Sequence, residues 1–225
     1  LCVLGSATTG LSLAAYDRTT GADVWSREHL QQGIANLQLA SDGAALFVAA
    51  RVQSRPANPV DLGGSPFTTP TGFPEFALAS YDLATGAFQW GWHDGTTERD
   101  QGLQALSVGG GHVDLAVGVA GEMTFAGTPV VGRKAGEPTS RLHVFRFDQA
   151  GSPRAVVRVS QEAATFVVGG MATRPDGGVY LRGLLVRGYL EDLAADLGGP
   201  VLTYPDPAER AHVFLELAPD LSFRR

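Results

Sequence analysis

The chain has 225 residues, a net charge of −6 and 44% hydrophobic residues, which suits one large domain or an array of small repeats with enough apolar content to bury a core. The negative balance excludes a protein held to nucleic acid by basic charge, and no apolar run is long enough to cross a membrane. Twenty-nine glycines and 13 prolines favour many short strands joined by turns over long helices, and the single cysteine, Cys2, excludes an internal disulfide.

In chain order, "LCVLGS" (1–6) and "LSLAAYD" (11–17) read as strands, with Cys2 as a buried strand residue rather than a lipidation site. A tight turn follows, with Asp17 placed to accept from turn amides and Gly21 to take the conformation other residues resist. It leads into a strand carrying Trp25. "IANLQLASDGAALFVAARV", from Ile34, is an apolar run, a glycine turn and a second apolar run. A long segment over 53–75 then leads to "YDLATGAFQW" at 81–90, a near-copy of "YDRTTGADVW" at 16–25, and to the polar loop "WHDGTTERDQ" at 92–101.

The same parts return in the same order. "LQALSVGGGHVDLAVGV" from Leu103 and "FVVGGMATRPDGGVYLRGLLV" from Phe166 repeat the strand–turn–strand start, with turn glycines Gly43, Gly111 and Gly177 spaced 68 and 66 residues apart. "FDQAGSPRAVVRV", from Phe147, and the C-terminal "LELAPDLSFRR" are weaker copies of the Tyr-Asp turn. A third echo lies between: "DLGGSPFTT" from Asp61, "TFAGTPVVG" from Thr124 and "DLGGPVLTY" from Asp196. The unit is 65 residues long, judged by the Tyr16–Tyr81 and Trp25–Trp90 spacings, and holds four strand candidates, A to D. In "RLHVFRFD", "LFVAARV" and "VDLAVGV" both faces are largely apolar, as in strands covered on both sides.

Repeated four-stranded antiparallel units predict an all-β fold, a β-propeller with about three and three-quarter blades. The expected divisions are a partial blade over 1–33 and blades over 34–102, 103–165 and 166–225 within one propeller region, 1–225. No strand A precedes the first blade, so the expectation is a segment of a larger ring, with an imperfect four-blade ring as the alternative; an exposed blade edge would then allow self-association. "YLEDLAADLGG", from Tyr189, is expected to be a loop insertion with at most one helical turn.

"YDLATGAFQW" and "YDRTTGADVW" resemble the pyrroloquinoline-quinone-type propeller repeat, with its Asp, Thr-Gly turn and Trp. The whole unit, with its strand–Gly turn–strand start and "DLGG" middle, is similar to the bacterial propeller repeats called SBBP repeats. The resemblance spans nearly the whole chain. It implies a propeller of an exported protein, periplasmic, cell-surface or extracellular, and no single activity.

The chemistry is sparse. Trp25 and Trp90, at a fixed repeat position, read as packing between blades. The histidines, His29, His93, His112, His143 and His212, have no metal-ligand spacing, and His143 and His212 fall in equivalent strands. There is no G-x-S-x-G and no phosphate loop. Calcium is the one cofactor with candidate ligands, Asp94, Glu98 and Asp100, out of step with a calcium-loop spacing; the main reading is a solvated connector without cofactor. The A–B and C–D turns are short and alike, whereas the B–C segments, 53–75, 120–140 and 187–210, are long and unlike. A binding surface is therefore expected on the B–C side, with Phe67, Phe73, Glu75, His93, Asp94, Arg133, Lys134, Tyr189 and Tyr204 as candidates. The function expected is a non-enzymatic scaffold or binding module for an unknown protein or carbohydrate. The alternative is a quinoprotein-like or other propeller enzyme with its site in the central channel.

Overall fold

A computed structural model describes residues 2–6, 11–29, 33–53, 59–69, 73–94, 101–132, 140–159, 164–187, 194–195, 202–203 and 211–224. These residues are all-β, with antiparallel pairing throughout and no helix among them. The chain divides into two compact units, Leu1–Glu98 and Arg99–Arg225.

The first unit holds two sheets. β1 (Cys2–Ser6), β2 (Leu11–Tyr16) and β3 (Asp23–His29) form a three-stranded meander. β4 (Ile34–Ser41), β5 (Ala45–Val52), β6 (Glu75–Asp82) and β7 (Phe88–His93) form a four-stranded one, paired in sequence order. β6 is buried along its length up to Asp82, and Leu46–Ala50 of β5 are buried without a break, as expected of strands covered on both faces.

The two C–D turns of this unit are built alike. In the first, Asp17 Oδ1 accepts from the Thr19 and Thr20 amides and the Thr20 hydroxyl, and the Gly21 amide donates to the Asp17 carbonyl. In the second, Asp82 Oδ1 accepts from the Ala84 and Thr85 amides and the Thr85 hydroxyl, and Gly86 donates to the Asp82 carbonyl. The glycines have φ of +71° and +68°. A carboxylate receiving several donors is stabilised in its charged form, so both side chains titrate below the usual aspartate range, Asp17 through the Thr20 amide first and Asp82 through the Thr85 hydroxyl first.

Trp25 joins the sheets. Its indole lies against Gly86, where an added Cβ would sit 2.6 Å from the ring, and Nε1 donates to the Leu83 carbonyl at 2.9 Å. Arg27, two residues on, donates through Nε to Gly86 O and through Nη2 to Thr85 O. The packing role expected of this tryptophan is thus seen between neighbouring sheets. Around it Leu11, Leu13, Ala15, Val48, Ala77 and Tyr81 form part of one apolar core.

The second unit also holds two main sheets. β8 (Gln101–Gly109) and β9 (His112–Val119) are followed by a small hairpin, β10 (Glu122–Phe125) and β11 (Thr128–Val131). β12 (Arg141–Asp148) and β13 (Pro153–Arg158) then complete a four-stranded sheet in the order β13-β12-β9-β8. β14 (Ala164–Thr173) and β15 (Val179–Arg187) lead to a two-residue pair, β16 (Ala194–Ala195) and β17 (Leu202–Thr203), and then to β18 (Ala211–Leu217), which pairs with β15. Phe223 makes a bridge to Leu217, a short fourth element for this sheet. Where a helical turn was allowed for, Ala194 and Ala195 are extended and paired; the rest of that segment lies outside the described residues.

The third sequence echo closes a short antiparallel pairing within the long B–C segment. Val60 pairs with Phe67 around "DLGGSP", and Ala195 pairs with Leu202 around "DLGGPV". Met123 pairs with Val130 at the equivalent position. Each closes within a B–C segment. In the first unit the Leu62 carbonyl accepts from the Tyr81 hydroxyl, and in the second Phe125 meets Phe145 and Phe147 edge-on at 4.9 and 5.0 Å.

A buried charged network also runs through the second unit. Arg146 donates to Asp114 through Nε at 2.7 Å and Nη2 at 3.0 Å, to the Gly177 carbonyl at 2.6 Å and to the Pro219 carbonyl. Thr173 donates to Asp114 at 2.8 Å and shares a hydrogen bond with Ser107 at 2.6 Å. The arginine side chain is 4% exposed and the aspartate 0%. This pair therefore lies almost wholly out of water, with its donors and acceptors spent on protein partners.

Candidate functional site

The far end of the second sheet, away from the Asp82 turn, collects three of the residues singled out by sequence. β6 opens on Glu75 and β7 closes on His93, whose backbone pairs with Ala77. The Val60–Phe67 bridge folds the preceding connection back so that Phe67 stacks on the His93 ring, centroids 4.0 Å apart and planes 8° from parallel. Glu75 is fully buried, and its Oε2 lies 3.8 Å from His93 Nδ1, beyond hydrogen-bonding distance but close enough for attraction when the imidazole is protonated. That Nδ1 is itself buried with no hydrogen-bond partner. The ring edge that faces the carboxylate is therefore dry, while the His93 side chain as a whole keeps 33% exposure.

Beside this trio is a cavity of about 400 Å³. Residues 62 and 64–67 line one side, and Phe88, Gly91, Trp92 and His93 line the other. Two glycines shape it. A Cβ on Gly64 would stand 2.6 Å from the Phe88 ring, and one on Gly91 3.3 Å from it. Trp92 is held by Phe76, ring centroids 5.1 Å apart, and Phe88 meets Tyr81 edge-on at 5.8 Å. The walls combine the rings of Phe67, Phe88 and Trp92 with a nearly equal share of polar surface, to which Ser65 and His93 belong. Such a cavity suits an apolar or flat group that makes one or two polar contacts.

Of the other candidates, Phe73 and Asp94 are among the described residues. Phe73 is exposed, 48%, ahead of β6, and Asp94 follows β7 directly. Arg133, Lys134, Tyr189 and Tyr204 lie outside the described residues, as do Glu98 and Asp100 of the calcium reading. Among the described residues no three His, Cys, Asp or Glu side chains gather as metal ligands. Trp25 is committed to Gly86 and Leu83, so it is not a platform for a ring-shaped ligand. No family model matches the chain, and no curated protein does. Among solved structures, BamB from Moraxella catarrhalis is similar at 11% identity over 80% of this chain and 66% of that one, with a TM-score of 0.22. The chain thus spans less than two thirds of that neighbour's length.

His143 belongs to the structure rather than to a site. It is 3% exposed and donates from Nδ1 to the Arg141 carbonyl at 3.0 Å, and burial pulls its pKa down to about 4. The native ring stays neutral where the unfolded one takes a proton near 6.5. Its contribution is therefore complete above about pH 6.5 and is lost as pH falls from there to about 4, by up to about 3 kcal/mol. Denaturation midpoints between pH 7 and 4 should show this decline, and a His143→Leu variant should flatten it.

Proposed function

We propose that this chain is a run of β-propeller blades serving as a non-catalytic binding scaffold in an exported protein, with its binding end on the side of the long B–C connections. The cavity between the Val60–Phe67 hairpin and β7 carries the reading, because it puts an aromatic-walled recess, Phe67 and His93 on that side. The opposite turns spend their Asp and Thr side chains on their own amides. The consecutive antiparallel sheets, the repeat spacing and the resemblance to SBBP and quinone-type repeats support the propeller reading. The ligand class is a protein segment or a carbohydrate.

The test is a binding screen of arrayed glycans and short peptides against the purified chain. Each hit is re-measured on a Phe67→Ser/His93→Gln variant and on an Asp42→Ala variant at the opposite turn. Binding should fall at least about tenfold in the first while circular dichroism shows it still folded, the scale expected for losing one buried aromatic contact. Loss in the second alone would overturn the assignment of the binding end. Retention of quinone absorbance after desalting with calcium, with dye-linked alcohol oxidation, would overturn the non-catalytic reading.

A further inference from the structure

We propose that the edge of β7, together with the adjoining cavity, takes up an extended peptide segment of a partner protein, which adds as a further strand and buries one apolar side chain in the recess. This rests on the binding end assigned above and names what it binds.

The argument begins from three strands that occupy the same place in the repeat. β3, β7 and β13 each stand at an edge of their sheets, next to β2, β6 and β12. A sheet edge offers backbone donors and acceptors to any extended chain, and natural edges are guarded by charge, proline or cover. β3 carries Asp23, Arg27 and Glu28, and β13 opens on Pro153 and carries Arg154 and Arg158. β7, "FQWGWH", has no proline and no Asp, Glu, Lys or Arg. The charge or proline present at two equivalent edges is missing within the third.

The unguarded edge also borders a recess. Phe88, Gly91 and Trp92 of β7 line the cavity of about 400 Å³, a volume within the range of small-ligand pockets. Gly91 is exposed in mid-strand and Gln89, two residues earlier, is exposed as well. A glycine in a strand lets another backbone come close. Strand addition supplies main-chain hydrogen bonds while a neighbouring pocket selects a side chain, and β7 provides both elements. A free sugar would use the recess but has no use for the edge, so the pairing of the two features favours a peptide.

The probe is a fluorescein-labelled, end-capped pentapeptide of alternating Thr and Val with a central Phe, titrated into the full chain by anisotropy. Three comparisons accompany it: a central Ala, N-methylation of alternate peptide amides, and the protein variants Gly64→Val, which narrows the recess, and Gly91→Lys, which charges the edge. Circular dichroism confirms that each variant is folded. The Phe peptide is expected to bind at least about tenfold more tightly than the Ala peptide. N-methylation and either variant should abolish that binding. Binding that needs the Phe but survives N-methylation would overturn strand addition while leaving the binding end in place. Absence of peptide binding would overturn the proposal, whether the chain stays monomeric in sedimentation or forms a dimer that Gly91→Lys dissolves, in which case the occupant is a second copy. The binding-end reading fails separately, by a screened ligand that tolerates the Phe67→Ser/His93→Gln change.

Discussion

Arg146→Ala is expected to destabilise the chain by about 3–5 kcal/mol, the usual cost of removing one partner from a buried ion pair. The reason is local. Asp114 has no exposure, and the arginine supplies two of its hydrogen bonds as well as its countercharge. The same guanidinium holds the Gly177 and Pro219 carbonyls, so truncation strips donors from three groups at once. Arg146→Lys should recover little, because an ammonium cannot present a planar fork to a carboxylate and two carbonyls together. The double variant Arg146→Met/Asp114→Val should be less damaging than Arg146→Ala alone, since it removes the stranded charge. Urea titrations of the four proteins check this, and a double variant at least as unstable as Arg146→Ala would refute it.

The second large effect is at the Trp25 dock. Trp25→Ala should cost about 3–5 kcal/mol, as for other buried tryptophans, since the ring is 8% exposed and also bonds Leu83. A matched glycine pair separates docking from backbone strain. Gly21 and Gly86 share a left-handed φ, but a Cβ on Gly21 meets nothing within 4 Å whereas one on Gly86 meets the Trp25 ring at 2.6 Å. Gly21→Ala should therefore cost only the strain of a side chain there, about 1–2 kcal/mol. Gly86→Ala should cost clearly more. In a Trp25→Ala background the two glycine changes should converge, and calorimetric melting of the set reads this directly.

These contacts mark how far the sequence could be read. The Trp25–Gly86 dock was foreshadowed because its parts recur 65 residues apart, and a repeated aromatic is more economically explained by packing than by a ligand. The strands buried on both faces were visible in "RLHVFRFD", where apolar side chains point both ways. That string also held the missed signal. Arg146 sits mid-strand among residues read as buried, and a charge there demands a partner; its partner is 32 positions away in β9 and invisible to local spacing. The "DLGG" echo was recognised, yet six residues separate Val60 from Phe67, and a turn of that length does not advertise its pairing. Phe67, Glu75 and His93 were named from their end of the unit alone. Their stacking and the recess exist because that hairpin folds back, which no periodicity in the sequence encodes.

The Trp25–Arg27 clasp has a consequence for how the first unit opens. Both side chains reach the single turn that begins at Asp82, so a polar clasp is added to the apolar core that the two sheets share. Arrays held together this way lose cooperativity one neighbour at a time rather than all at once. In Gly86→Ala, amides of β2 should exchange with solvent faster while those of β5 and β6 keep their protection. The clasp would then act as the bolt that makes two sheets melt together, and the exchange pattern would show it drawn.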